Sequence, residues 1–329
     1  MKCRLLWLAV VLAVGLTSPA ADAALERAEL IGVAASVLRI EAPRASGGYS
    51  VGSGVAVGNH QVITNCHVTR DAQAITVVRG SERWPARGQV TNAERDLCLL
   101  TVPGLVAPAA RLGQAGSLAI GQMLSALGYT GGLGIQSSDG EVVELHRHDG
   151  AHVIQSSNWF SSGASGGGLF DEAGALVGIL TFRLRGGEAH YFAAPVEWVQ
   201  QLIDSAGSAD TVSNPRALAP LPFWQVQPDA QPRFLRAALM QRESRWSDLA
   251  ALAREWLQAA ADDVEPWHLL GLALTRLDRP ADALAALECA LQLSPSHGAV
   301  RSSLEALRAV LPPAGAAVRP TRAAPCPPA

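Results

Sequence analysis

From about residue 30 to residue 203 the apolar residues come in short runs broken by Gly, Asn, Asp and Ser. Beyond about residue 232 they fall into helical spacing. This change of period constrains the fold more than any other feature of the chain. The short runs include 35–40, 51–57, 61–64, 74–78, 97–102, 123–127, 142–145, 152–155, 176–182 and 191–194. No helical segments alternate with them, so the pattern predicts an all-β barrel or sandwich and argues against a doubly wound parallel sheet. Residues 195–203 read as a closing helix. Residues 204–230 hold Gly207, Pro215, Pro220, Pro222 and Pro228 with little periodicity; they read as a Pro-rich linker that few contacts should cross. Residues 231–311 predict an all-α region, and the Pro/Ala-rich residues 312–329 a disordered tail.

At 329 residues the chain is long enough for about two domains. Hydrophobic residues make up 49% and charged ones 17%, which excludes a disordered chain and leaves ample material for a core. The net charge is −3 and there is no basic run, so nucleic acid is not the expected partner. Lys2 is the only lysine. If the N-terminus is removed, Lys Schiff bases, Ser-Lys dyads and phosphate-loop chemistry are all excluded.

Removal is what the N-terminus predicts. Lys2 and Arg4 precede an apolar stretch from Leu5 to Leu16, and Ala21-Asp22-Ala23 supplies a small-x-small site. These are the parts of a cleavable export signal at residues 1–23, with cleavage after Ala23. The apolar stretch is short of the roughly 20 residues a membrane span needs. The expectation is a periplasmic or secreted protein with no membrane span after cleavage. Four cysteines then remain, Cys66, Cys98, Cys289 and Cys326, without a Cys-x-x-Cys pair.

In the helical region, Trp267, Leu270-Gly271, Leu274, Ala283, Leu287, Ala290 and Pro295 resemble a tetratricopeptide repeat. Small Gly271 and Ala283 suit close approach of two helices, and Pro295 ends the second. The stretch from Phe234 to Ala261 resembles a degenerate preceding repeat, and 298–311 a capping helix. So few repeats rarely stand alone, so this unit is expected to pack on the β region or on a protein partner.

The chemistry is in the β region. Gly163-Ala164-Ser165-Gly166-Gly167 allows close backbone approach to a substrate and two amides aimed at one oxygen. A serine nucleophile needs a base, and His67 ends the strand-like run 61–66. The base needs a carboxylate, and Asp96 directly precedes the apolar run Leu97-Cys98-Leu99-Leu100. Together with Val51-Gly52-Ser53-Gly54-Val55 and Thr64-Asn65-Cys66-His67-Val68, these blocks resemble chymotrypsin-fold, trypsin-like serine proteases of the bacterial Deg/HtrA type, in the order His, Asp, Ser. The resemblance covers residues 30–203. It implies two six-stranded antiparallel barrels and a serine endopeptidase of protein or peptide substrates. His67, Asp96 and Ser165 would be catalytic, and the amides of Gly163 and Ser165 the oxyanion hole. No cofactor and no metal are implied.

There are departures from the resemblance. Ala164 stands where trypsin has the aspartate that receives a new N-terminus, and no PDZ-like segment follows. The resemblance also places Trp159 at the base of the primary pocket, Thr181-Phe182-Arg183 on the strand that pairs with substrate backbone, and His190 at the pocket's other wall. A small or medium apolar residue before the scissile bond is then expected. Because His67 and Asp96 must meet, Cys66 and Cys98 are expected to form a disulfide, with two buried thiols as the alternative; Cys289 is expected among the helices and Cys326 free in the tail. His146 and His148 share a strand face, but no third metal ligand is evident in the sequence. His60, His268 and His297 default to the surface. The alternative to a protease is a catalytically silent scaffold acting through the repeats.

Overall fold

The computed structural model describes residues 27–131, 134–184, 191–206, 220–311 and 326. The expected signal at 1–23, His190, residues 207–219 of the linker and all of the tail but Cys326 lie outside these. After helix α1 (Arg27–Ala34) come β1 (Val37–Pro43), β2 (Tyr49–Gly58), β3 (Gln61–Asn65), the single-turn helix α2 (Cys66–Thr69), β4 (Thr76–Arg79), β5 (Glu82–Pro85), β6 (Gly88–Asn92) and β7 (Leu97–Thr101). These strands form one antiparallel sheet in the order β5-β4-β1-β2-β3-β7-β6.

The two-barrel expectation is met in the second unit only. The first sheet has seven strands and does not close; β5 and β6 are its edges. Only Ala86 and Arg87 join them, and both amides are bonded elsewhere, to Ile75 O and Thr101 O. Pro85 ends β5 without an N–H to offer an edge partner.

The second unit is a closed barrel in the order β10-β13-β12-β11-β8-β9. Its strands are β8 (Met123–Tyr129), β9 (Ile135–His148), β10 (Ala151–Ser156), β11 (Gly168–Phe170), β12 (Leu176–Arg183) and β13 (Tyr191–Pro195). Phe170 and Phe192 are fully buried. Helix α3 (Val196–Ala206) seals the barrel with Trp198, which is 1% exposed and donates from its indole N–H to Asp149 O at 3.1 Å.

Five helices follow: α4 (Arg233–Arg242), α5 (Trp246–Ala259), α6 (Val264–Arg276), α7 (Pro280–Leu293) and α8 (Gly298–Val310). Gly271 lets α6 and α7 touch: a Cβ there would lie 2.5 Å from Leu287 Cγ. Pro280 opens α7 at a position where its missing N–H costs nothing, and Asp263 caps α6 by accepting from Glu265 N.

The helices share one continuous apolar core with the β region, running from Val37 through Trp198 and Phe234 to Leu307. Strand β9 is the docking strand. His146 Nδ1 meets Glu265 Oε1 at 2.9 Å, Glu144 Oε2 meets His297 Nε2 at 3.1 Å, and Arg147 pairs with Asp262 at 2.9 Å. Residues 220–230, the described end of the expected linker, lie against the β region. Phe223 N donates to Glu94 O at 2.9 Å, and Arg70 to Pro220 O at 3.4 Å. The prolines that suggested a loose tether remove backbone donors without removing apolar surface, and Phe223 and Trp224 supply that surface.

Candidate active site

Antiparallel pairing puts the histidine beside the carboxylate. β3 and β7 run in register with Thr64 opposite Cys98 and Asn65 opposite Leu97. The next residues outward, Cys66 and Asp96, therefore meet, and Cys66 N donates to Asp96 O at 3.1 Å. Asp96 turns the chain at φ 59°, a left-handed conformation that Asp tolerates better than most residues. Its carboxylate is fully buried. Oδ1 accepts from His67 N at 2.8 Å and Oδ2 lies 2.6 Å from His67 Nδ1. An acceptor-only carboxylate at Nδ1 fixes the hydrogen there and leaves the Nε2 lone pair free to take a proton.

The register also brings Cys66 and Cys98 together. Both are fully buried, with Cα atoms 5.0 Å apart and sulfurs at bonding distance. Cys326 departs from expectation: it is placed against Cys289, with Cα atoms 5.4 Å apart, and is not free.

Ser165 sits on the loop before β11. Gly166 N donates to Leu180 O, Leu180 N to Gly167 O, and Ser53 N to Ser165 O, each at 2.8 Å. Gly166 has φ 86°, and a Cβ there would lie 2.1 Å from Ser53 O, so only glycine fits. Ser165 Oγ donates to Thr181 O at 3.4 Å, and among the described residues it makes no hydrogen bond to His67. The amides of Gly163 and Ser165 have no acceptor among the described residues, which leaves two donors for an anionic oxygen.

The other expected site residues differ in burial and in partners. Thr181 is 2% exposed; its hydroxyl donates to Ile179 O and accepts from Asn65 Nδ2. Phe182 is buried, stacked on Phe192 at 4.7 Å, while Arg183 is exposed. Trp159 is 56% exposed. A ring that open does not floor a closed pocket; the buried neighbours Asn158 and Phe160 take the interior positions on either side of it.

Three residues at this site carried no role in the sequence reading. Ser53 Oγ donates to Gly163 O at 2.7 Å and accepts from Tyr129 N at 2.8 Å, so β2 holds the serine-bearing loop. Asn65 Nδ2 donates to both Asp96 O and Thr181 Oγ1. Trp224 donates from its indole N–H to Asp96 Oδ2 at 3.2 Å. Ser53 lies in the block Val51-Gly52-Ser53-Gly54-Val55 and Asn65 in Thr64-Asn65-Cys66-His67-Val68; Trp224 lies in the Pro-rich stretch, where no local pattern marks it.

His268 and His297, expected at the surface, lie between the barrel and the helices. With Glu144 they bring potential ligand atoms within 4.8 Å of one another. Each is already committed. His297 Nδ1 accepts from Val300 N as the cap of α8, so its Nε2 carries the hydrogen offered to Glu144. His268 Nε2 meets Ser303 Oγ at 3.1 Å. Burial, reinforced by His297, lowers the His268 pKa to about 4. The cluster therefore reads as a satisfied structural network.

Among known proteins, the trypsin-like peptidase domain family matches residues 52–179. A probable periplasmic DegP-like serine endoprotease of Ectopseudomonas mendocina is 33% identical over 177 residues, 49% of this chain and 37% of that protein. One from Pseudomonas fulva is 30% identical over 190 residues, 52% and 39% of the two chains. This chain thus spans under two fifths of the length of these relatives. The solved HtrA-type protease AlgW with tripeptide is 28% identical with a TM-score of 0.51, covering 56% of this chain and 64% of that one. The active form of the Rv3671c protease from M. tuberculosis shares the fold at 21% identity and a TM-score of 0.54, over 60% of this chain and 94% of that one. No described helix is long and apolar enough to cross a membrane. The half-open sheet and closed barrel that carry His67, Asp96 and Ser165 thus contain the stretch that matches the trypsin-like peptidase domain family, and over this part of its length the chain is similar to Deg/HtrA-like serine endoproteases.

Proposed function

We propose that the chain is a serine endopeptidase acting on protein or peptide substrates outside the cytoplasm. The observation that carries this reading is the buried Asp96 carboxylate 2.6 Å from His67 Nδ1, on the sheet that also latches the Ser165 loop. Ser165 Oγ attacks the scissile carbonyl while His67 Nε2 takes its proton. The carbonyl oxygen, now anionic, is received by the amides of Gly163 and Ser165. His67 returns the proton to the leaving amine, and water, deprotonated by His67, releases the acyl group and regenerates Ser165. Substrate backbone runs along Thr181, Phe182 and Arg183. The helices form a tetratricopeptide-like interaction surface, residues 1–23 direct export, and the Cys66–Cys98 disulfide fits an oxidising compartment.

A fluorophosphonate probe on the purified full chain tests this reading. Labelling that disappears in Ser165→Ala supports it; a folded chain that does not label leaves the silent scaffold. One observation favours that second reading: Ser165 Oγ bonds Thr181 O and not His67.

A further inference from the structure

Asp96 is wholly buried, and its carboxylate must find donors inside the protein. His67 supplies two, its backbone N–H and its ring N–H. Thr181 Oγ1 of the second barrel, which accepts from Asn65 Nδ2, has one hydrogen and gives it to Ile179 O at 2.7 Å. The third donor comes from outside both β units: Trp224 Nε1–H, 3.2 Å from Oδ2, the same oxygen that holds the imidazole.

The rest of the Trp224 ring is as firmly placed as its N–H. It meets His67 edge-on, with centroids 5.6 Å apart and planes at 86°. It stacks on Phe182, with centroids 5.0 Å apart and planes within 9°. Its backbone is pinned from both sides. Upstream, Phe223 N bonds Glu94 O; downstream, Gln231 Nε2 donates to Trp224 O and Val226 O, each at 3.1 Å. Phe223 is wedged among His148, Trp198 and Phe234, so the barrel and α4 grip the same segment.

We propose that Trp224 is a positioning residue for the reaction, holding the Asp96 carboxylate and with it the His67 imidazole, so that the active-site geometry depends on the segment that docks the helical region. This rests on the serine endopeptidase reading above. The geometry gives the indole two separable tasks. The N–H fixes Oδ2 and draws charge from it. The ring covers one side of His67 and, through Phe182, borders the strand proposed to receive substrate.

The test measures the rate of fluorophosphonate labelling of the full chain against pH, for the wild type and for two variants. Trp224→Phe keeps an aromatic ring on Phe182 and removes the donor. The second carries benzothienylalanine at position 224, which replaces only the N–H with sulfur and preserves the shape of the ring should the Phe variant fold poorly. Loss of a donor to a carboxylate leaves more negative charge facing His67 and makes the imidazole more basic. The expected result for each folded variant is labelling slowed about tenfold or more, with the acid limb of the profile displaced upward by about half a pH unit. A purely structural role would lower the melting temperature and leave the limb where it is. If the wild type labels and both the rate and the limb of the benzothienylalanine variant match it, the inference is overturned and the endopeptidase reading stands. If the folded wild type does not label, both fall.

Discussion

The imidazole of His146, on barrel strand β9, stacks on the ring of Phe234 in α4, with centroids 4.3 Å apart and planes within 15°. The same imidazole is bonded on one side to Glu265 of α6 and on the other to Gln155 of β10. One residue thus joins an apolar and an ionic contact across the boundary between the β region and the helices. His146→Ala should leave the Glu265 carboxylate buried without its partner, at a cost of about 3–5 kcal/mol in urea denaturation of the full chain. His146→Ala with Glu265→Leu should recover much of that loss, because no charge is then left buried.

Truncation after Asp210 should yield a weakened β fragment. It would lose the Trp224 donor to Asp96 and bare the Phe182, Phe192 and Trp198 surface that Phe223 and Phe234 cover. The expected outcome is a lower melting temperature than the full chain and a shallower transition by calorimetry. A fragment as stable as the full chain would make the helices an appendage.

His67→Ala and Ser165→Ala should each lower turnover by about four orders of magnitude or more, with the double variant little worse than either single one. Peptidase assays on variants of matched melting temperature check this. Losses that multiply would show that the two residues do not act together.

Acid should loosen the docking of the helices through His268. Its pKa is lowered to about 4 by burial and by His297, so the unfolded chain binds a proton there more readily than the folded one. The stability this site contributes is whole above the unfolded value of about 6.5 and is lost as pH falls toward 4, by about 3 kcal/mol in all. His146 works the other way. Burial alone would depress it, but Glu265 and Glu144 outweigh burial and raise its pKa, so its contribution fades as pH climbs through the raised value. His268→Gln should flatten the acid side of a melting-temperature profile and leave the alkaline side unchanged.

Peptide mapping without reduction should recover Cys66 linked to Cys98 and Cys289 linked to Cys326. For the 32-residue separation of the first pair, the chain-entropy account puts the stabilisation near 4 kcal/mol. Reductant should lower the melting temperature accordingly.

Much of the fold and the candidate site could be read from the sequence because both depend on local pattern. Short apolar runs mark β3 and β7, and once those strands pair, Asp96 must fall beside Cys66 and His67. What the sequence did not reveal depends on partners far along the chain. Closure of the first sheet turns on whether β5 and β6 pair, and Pro85, at the end of β5, is a weak mark of an edge beside the pairing of distant strands. Trp224 looked like linker because 128 positions separate it from Asp96. His268 and His297 looked like surface because a histidine on a helix carries no mark of what packs over it.

Ser53 accepts a hydrogen from Tyr129 N and must therefore spend its own on Gly163 O. One hydroxyl from the first sheet thus sets which way a carbonyl of the second barrel faces. The peptide plane after Gly163 cannot turn over without breaking that bond, so the loop is tuned before any ligand arrives. The seam between the two β units then acts as a jig that fixes the loop's handedness, and neither half alone holds the information needed to shape it.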